Sequence, residues 1–311
     1  MILVTGATGF IGRALVRHLT ETGQRVRVLL RPSPKSPRLP KGVPVEVAVV
    51  SLNDERGLRA ALRGVDQVYH LASAATQGRD GSLFTTDIEG TRNLAASAAD
   101  AGIQRFIFLS HLGADRASAF PVHKSKGIAE EHIRKSGVPH TILRSSIVFG
   151  PEDGFTTALA DILRYSPGFV PIPGDGRTLL QPLWVEDLVT CLVWTLQNPD
   201  TVNQTYEIGG GEYFTLRQIF EILMDVTHTR RLLLPLSPPY MRALVVLLDS
   251  VARRLNASTY WIDYVAVNRT CPVDNLPRTF GLMPARFAYR LNYLERKPLS
   301  QRIQEILRFP R

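Results

Sequence analysis

The sequence predicts an α/β protein organised around a parallel, doubly wound sheet, and three observations carry that expectation. Short β-branched and apolar runs alternate with stretches of helical spacing through the first half of the chain. The first of these runs passes straight into a glycine-rich turn. Beyond Ile142 the alternation gives way to a stretch with frequent Gly and Pro, including Gly150-Pro151, Pro167-Gly168 and Pro173-Gly174. Strands that alternate with helices imply parallel pairing through right-handed crossovers.

Ile2 to Thr5 reads as the first strand, and Gly6-Ala7-Thr8-Gly9-Phe10-Ile11-Gly12 turns it into a helix on which Ala14, Leu15 and Leu19 keep helical spacing. Residues 24–30 alternate into a second strand, and 43–50 give a third after a Pro/Ser/Lys-rich loop at 32–42. Further strands are expected at 66–71 and 105–109, with helices near 55–63 and 82–101 between them. The change of rhythm sets a soft boundary near 150. It separates residues 1–150 from 151–311, a smaller mixed α/β lobe expected to interleave with the first in space.

Composition narrows the function classes. A chain of 311 residues has room for two lobes around a large core. With 44% hydrophobic and 21% charged residues and no low-complexity tract, it is composed like a folded soluble protein. Its two cysteines, Cys191 and Cys271, stand far apart without CxxC or Cys/His spacing, which argues against a disulfide framework or a metal site. The N-terminus lacks the pattern of a cleaved leader and no run has the roughly 18 apolar residues of a spanning helix, so a cytoplasmic location is expected.

The formal net charge is +9, and residues 241–311 hold twelve Arg and Lys against five acids. Residues 240–255 set Arg242, Asp249, Ser250, Arg253 and Arg254 on one side of a helix, a pattern suited to an anionic membrane surface or a membrane complex. The alternative for that helix is packing between lobes. No nucleic-acid motif interleaves with the basic residues, and no nucleic-acid partner is expected.

The glycine turn carries the most specific chemistry. A strand that opens through Gly6, Gly9 and Gly12 into a helix offers a tight turn, close backbone approach to a pyrophosphate, and free amides at a helix N-terminus. Residues 1–150 are therefore expected to form a Rossmann-type domain that binds a nicotinamide dinucleotide through Gly6, Thr8, Gly9, Phe10, Ile11 and Gly12.

Thr5-Gly6-Ala7-Thr8-Gly9-Phe10-Ile11-Gly12 resembles the extended and atypical short-chain dehydrogenase/reductases, of NAD-dependent epimerase/dehydratase type. Val68-Tyr69-His70-Leu71-Ala72 resembles that family's fourth strand, which implies that Leu71 and Ala72 lie along the cofactor. Gly90-Thr91-Arg92-Asn93-Leu94 resembles the following helix, Phe106 to Ser110 the fifth strand, and Leu143 to Gly150 the segment over the nicotinamide. Pro173-Gly174-Asp175-Gly176, Gln181 to Asp187, and Asn275 to Pro284 resemble later elements, and the match is poorest at 225–270. Within the family the resemblance is nearest to the branch of the nucleotide-binding accessory subunit of respiratory complex I.

The residue after the second strand separates the two cofactors, because an acid there accepts from the ribose of NAD and an arginine accommodates the 2′-phosphate of NADP. Here it is Arg31, with Arg13 as a second positive charge, so NADP is preferred over NAD. An acid after the third strand is a common adenine contact in the family. Ser51 stands there instead, with Asp54 three residues on.

The resemblance implies a catalytic Tyr four residues before a Lys, plus a hydroxyl that polarises the substrate. Lys126 matches the lysine, which would also hold the ribose, while Val122 stands where the tyrosine belongs. Ser110 matches one hydroxyl position and His111 replaces the next. His111 and His123 are candidate substitute acids, because histidine titrates near neutral pH. Tyr69 and Tyr165 read as packing residues. Two functions remain open: a cofactor-binding structural, sensory or assembly protein, or an NADP-dependent oxidoreductase of a small or lipid-like carbonyl compound.

Overall fold

The computed structural model describes residues 1–33, 37, 39–40, 42–75, 81–251 and 259–295. The chain begins as β1 (Ile2–Thr5), α1 (Phe10–Glu21), β2 (Val26–Leu30), β3 (Val45–Val49), α2 (Glu55–Ala61) and β4 (Gln67–His70). A wide, π-type turn at Phe84–Glu89 leads into α3 (Gly90–Asp100), so the single helix expected over 82–101 is two segments. β5 (Arg105–His111), α4 (Pro121–Ser136) and β6 (His140–Ser145) follow.

Seven parallel strands form the main sheet in the order β11-β6-β5-β4-β1-β2-β3, where β11 is Gln204–Ile208. The order reverses between β1 and β4, which places a crevice outside the carboxyl ends of those strands. Helices α2, α3 and α4 cover one face through Leu58, Leu94, Ala98, Ala129 and Ile133. α1 and α6 (Val185–Gln197) cover the other through Leu15, Leu19, Leu188 and Leu192.

β7 (Val148–Phe149) lies outside the main sheet and pairs with Leu183–Trp184. α5 (Thr156–Tyr165), β8 (Phe169–Pro173), β9 (Leu179–Leu180) and β10 (Leu183–Trp184) build the start of the smaller half. The chain then returns: α6 packs against α1, and β11 adds the seventh strand beside β6. After that come β12 (Phe214–Thr215), α7 (Leu216–Val226), β13 (Leu232–Leu236), α8 (Pro238–Val251), α9 (Thr259–Tyr264) and α10 (Asn275–Phe280). A separate core contains Phe149, Phe155, Ile172, Phe220, Tyr264 and Phe287, whereas α10 packs Leu276 and Phe280 into the core under the main sheet.

Tyr69 is a packing residue as expected, fully buried with its hydroxyl donating to the Leu192 carbonyl at 3.1 Å. Tyr165 is not. It ends α5 with 80% of its surface exposed.

One buried polar chain ties β1, β4 and α3 together. The His70 ring bonds Thr5 Oγ1 at 2.7 Å through Nδ1 and Thr91 Oγ1 at 2.8 Å through Nε2, and it stacks on Phe108. Burial, with the nearby Lys126 cation second, pulls its pKa down to about 3. An unfolded histidine titrates near 6.5, so the unfolded chain takes up a proton that the folded chain refuses. The stability from this group is complete above about pH 6.5 and is lost as pH falls from there towards 3, at about 1.4 kcal/mol per pH unit. Urea unfolding between pH 7 and 4.5 is expected to show a shallower loss in His70→Gln than in the wild type; equal slopes would contradict this assignment.

Candidate functional site

The turn after β1 has room for backbone only. Gly6 adopts φ +71°, in the left-handed region that glycine tolerates, and a Cβ there would stand 2.6 Å from the Leu71 carbonyl carbon. A Cβ on Gly12 would stand 2.1 Å from the Gly6 oxygen, so α1 approaches the turn as closely as a helix can. The Gly9 amide donates to the Gly6 carbonyl at 3.0 Å and closes the turn. Gly9 caps α1 without a side chain, leaving the first-turn amides around Phe10, Ile11 and Gly12 directed at the crevice. Leu71 and Ala72 lie against this turn, and the Ala72 amide donates to Thr5 Oγ1 at 3.3 Å. These groups fit a dinucleotide pyrophosphate.

On the adenosine side Arg31 follows β2 and is exposed. Arg13 is engaged within the protein: its guanidinium donates to the Thr8 carbonyl at 3.0 Å and to Glu152 at 2.8 Å. Asp54 caps α2, accepting from the Gly57 amide at 3.0 Å, so this carboxylate serves the helix.

The nicotinamide side departs most from the expected arrangement. Val122 and Lys126 share a face of α4, but Val122 is buried in the apolar core of the smaller half with Ile147 and Phe149. The buried Lys126 ammonium pairs with the Asp87 carboxylate at 3.1 Å and lies 4.9 Å over the Phe108 ring. Asp87 also accepts from the Ser73 hydroxyl at 2.7 Å and the Ala74 amide at 2.8 Å. Sequence reasoning missed Asp87. Its signal was an acid in helical phase with Gly90 and Leu94, both of which are buried.

Ser110 and His111 are parted by strand alternation, which sends successive side chains to opposite faces. The Ser110 hydroxyl donates to Glu130 at 2.7 Å, and Glu130 is held by Arg144 at 2.7 Å and Arg134 at 3.0 Å. The structure thus turns Ser110 away from the role expected for it as the substrate-polarising hydroxyl. His111 faces the other way, its ring 6.3 Å from those of His123 and Tyr264.

Arg269, from the stretch with the poorest resemblance, enters this cluster. It donates to His123 Nδ1 at 3.1 Å, to the Leu112 carbonyl at 3.0 Å and to the Tyr264 carbonyl at 2.9 Å. The first of these bonds fixes His123 with its proton on Nε2. Burial, reinforced by the Arg269 charge, pulls the His123 pKa down to about 4. Burial and the charges of Lys126, His123 and Arg269 hold His111 well below its ordinary value. Both rings are uncharged at neutral pH, so neither stands ready as an imidazolium acid. Among the described residues no group of His, Cys, Asp and Glu has metal-binding geometry.

The crowding at Gly12 makes a direct test of the turn. Gly12→Ala is expected to destabilise the fold by about 1–3 kcal/mol and to weaken NADPH binding at least roughly tenfold, because a displaced helix no longer aims its amides. Thermal melts and calorimetric titration check both, and unchanged binding would remove the turn from the site.

The chain is 32% identical over 229 residues to NADH dehydrogenase (ubiquinone) 1 alpha subcomplex subunit 9, mitochondrial, of Arabidopsis thaliana, covering 72% of this chain but 57% of that protein. It is 31% identical over 280 residues to sterol demethylase protein B of Methylococcus capsulatus, covering 81% and 82%. It is 32% identical over 199 residues to ceramide reductase of Caulobacter vibrioides, covering 64% and 62%. The solved UDP-glucose 4-epimerase of Thermus thermophilus, in complex with NAD, superposes with a TM-score of 0.71 at 22% identity, covering 94% and 97%. The model of the NmrA-like family matches residues 1–232, a span that contains all seven strands of the main sheet, the glycine turn and Lys126, and the chain belongs to that family.

Proposed function

We propose that the chain binds NADP, or NAD, in the crevice between β1 and β4 and acts as a cofactor-binding structural, sensory or assembly protein. One observation carries this reading. The position four residues before Lys126 is a valine packed into a core, so the usual proton donor is absent and the lysine is engaged by Asp87. General acid catalysis typically contributes about 100- to 10,000-fold, and a site without it holds cofactor with little turnover. The likeness to an NADH dehydrogenase subunit supports a place within a larger assembly.

The other reading is an NADP-dependent oxidoreductase of a small or lipid-like carbonyl compound. It is favoured by the Nε2–H of the neutral His123, which can donate to a carbonyl oxygen, and by relatives named for a sterol and a ceramide. In that reading His123, His111 and Lys126 are the catalytic candidates. One experiment separates the two. Calorimetric titration is expected to show tighter binding of NADPH than of NADH, lost in Arg31→Ala, with only slow reduction of generic aldehydes and ketones. Rapid turnover abolished by His123→Ala would overturn the binding reading, and equal affinity for both cofactors would remove Arg31.

We also propose that α8 brings the protein against an anionic membrane surface or a membrane complex, giving a cytoplasmic location peripheral to the membrane. No described helix is long and apolar enough to cross a membrane. Arg242 on α8 pairs with Asp263, whereas Arg253, Arg254 and the basic stretch 296–311 lie outside the described residues. Sedimentation with anionic liposomes is expected to capture the protein at low salt and release it at high salt. Absence from the pellet at low salt would exclude direct lipid contact.

A further inference from the structure

We propose that Asp87 is a positioning residue that neutralises Lys126 and thereby sets which redox form of the cofactor the crevice prefers. This rests on the dinucleotide reading above and adds a role for a carboxylate that sequence reasoning overlooked. Oxidised nicotinamide carries a positive ring and reduced nicotinamide a neutral one, so any uncompensated charge beside the ring discriminates between them.

The geometry points to a compensated lysine. Asp87 and Lys126 are both almost wholly buried, with side chains 0% and 3% exposed. Charge in such a place is screened far less than at a surface. The carboxylate cannot swing away, because Ser73 and Ala74, just beyond the end of β4, each donate to it. That anchorage keeps the pair at the carboxyl edge of the sheet, beside the Leu71–Ala72 backbone that meets the glycine turn. Among the described residues, His70 and His111 near this lysine are uncharged at neutral pH, and Asp87 is the carboxylate paired with Lys126.

In a site with a catalytic tyrosine, the lysine charge acts on the phenol. Here Val122 takes that place, and the lysine has no phenolate to stabilise. The carboxylate holds the ammonium where it can still reach a ribose hydroxyl. It also removes the repulsion that a bare ammonium would exert on an oxidised ring.

The test is the ratio of affinities for the oxidised and reduced forms of one cofactor, measured by calorimetric titration of the whole chain. Asp87→Asn keeps the shape and leaves Lys126 uncompensated, so the ratio is expected to move towards the reduced form by roughly tenfold or more, the order expected of one uncompensated unit charge in a buried site at an effective dielectric constant of about 20. Lys126→Met leaves Asp87 uncompensated and is expected to move the ratio the other way, and the double variant to restore it. A purely structural role would weaken both forms equally, so an unchanged ratio in either single variant would overturn the proposal. Failure of the wild type to bind either form would instead overturn the dinucleotide reading, and this one with it.

Discussion

Everything on the cofactor side depends on the absence of a side chain at two points of backbone contact. At Gly6 the chain turns with a positive φ against Leu71, and at Gly12 the first helix meets the Gly6 carbonyl. A methyl group at either place would separate β1 from the segment after β4 or lift α1 off the turn. The aim of the helix amides at the crevice between β1 and β4 depends on that approach. The buried Thr5–His70–Thr91 chain reinforces the same junction from within the sheet, tying the strand before the turn to the strand beside it.

The opposite end of the crevice follows a different logic, in which charges are matched and the expected acid is missing. Lys126 is held by Asp87 and Glu130 by Arg144 and Arg134, while the uncharged His123 accepts a hydrogen bond from Arg269. Asp87, Arg144 and Arg269 come from other elements of the chain and are brought in by packing, whereas Arg134 meets Glu130 through the i,i+4 spacing of α4. Buried pairs of this kind add little net stability, since desolvation offsets most of the attraction, but removing one member leaves a bare charge in a dry place. This rigidity suits a site that holds a ligand in one pose. Its two histidines are uncharged at neutral pH.

The smaller half contributes more than a lid. Arg269 reaches from beyond α9 to Leu112 and His123, and Glu152 reaches back to Arg13 at the glycine turn, so both ends of the crevice are bridged by the second half. α6 and β11 belong to the main sheet in space although they follow β7–β10 in sequence.

The glycine turn, the alternation of strands and helices and the Val122–Lys126 spacing were legible from the sequence, because each rests on periodicity or on a steric rule that acts within a few residues. The valine four residues before Lys126 was equally legible, since helical spacing puts the two on one face. Tertiary structure decided the rest. The direction of Ser110 depended on which face of β5 meets α4, and the partner of Lys126 depended on a wide turn placing Asp87 opposite it. The neutrality of the two histidines depended on burial and on the charge of Arg269, 146 residues from His123. Burial, electrostatic partnership and the pKa values they shift are properties of groups brought together across the chain, and no local pattern encodes which groups will meet.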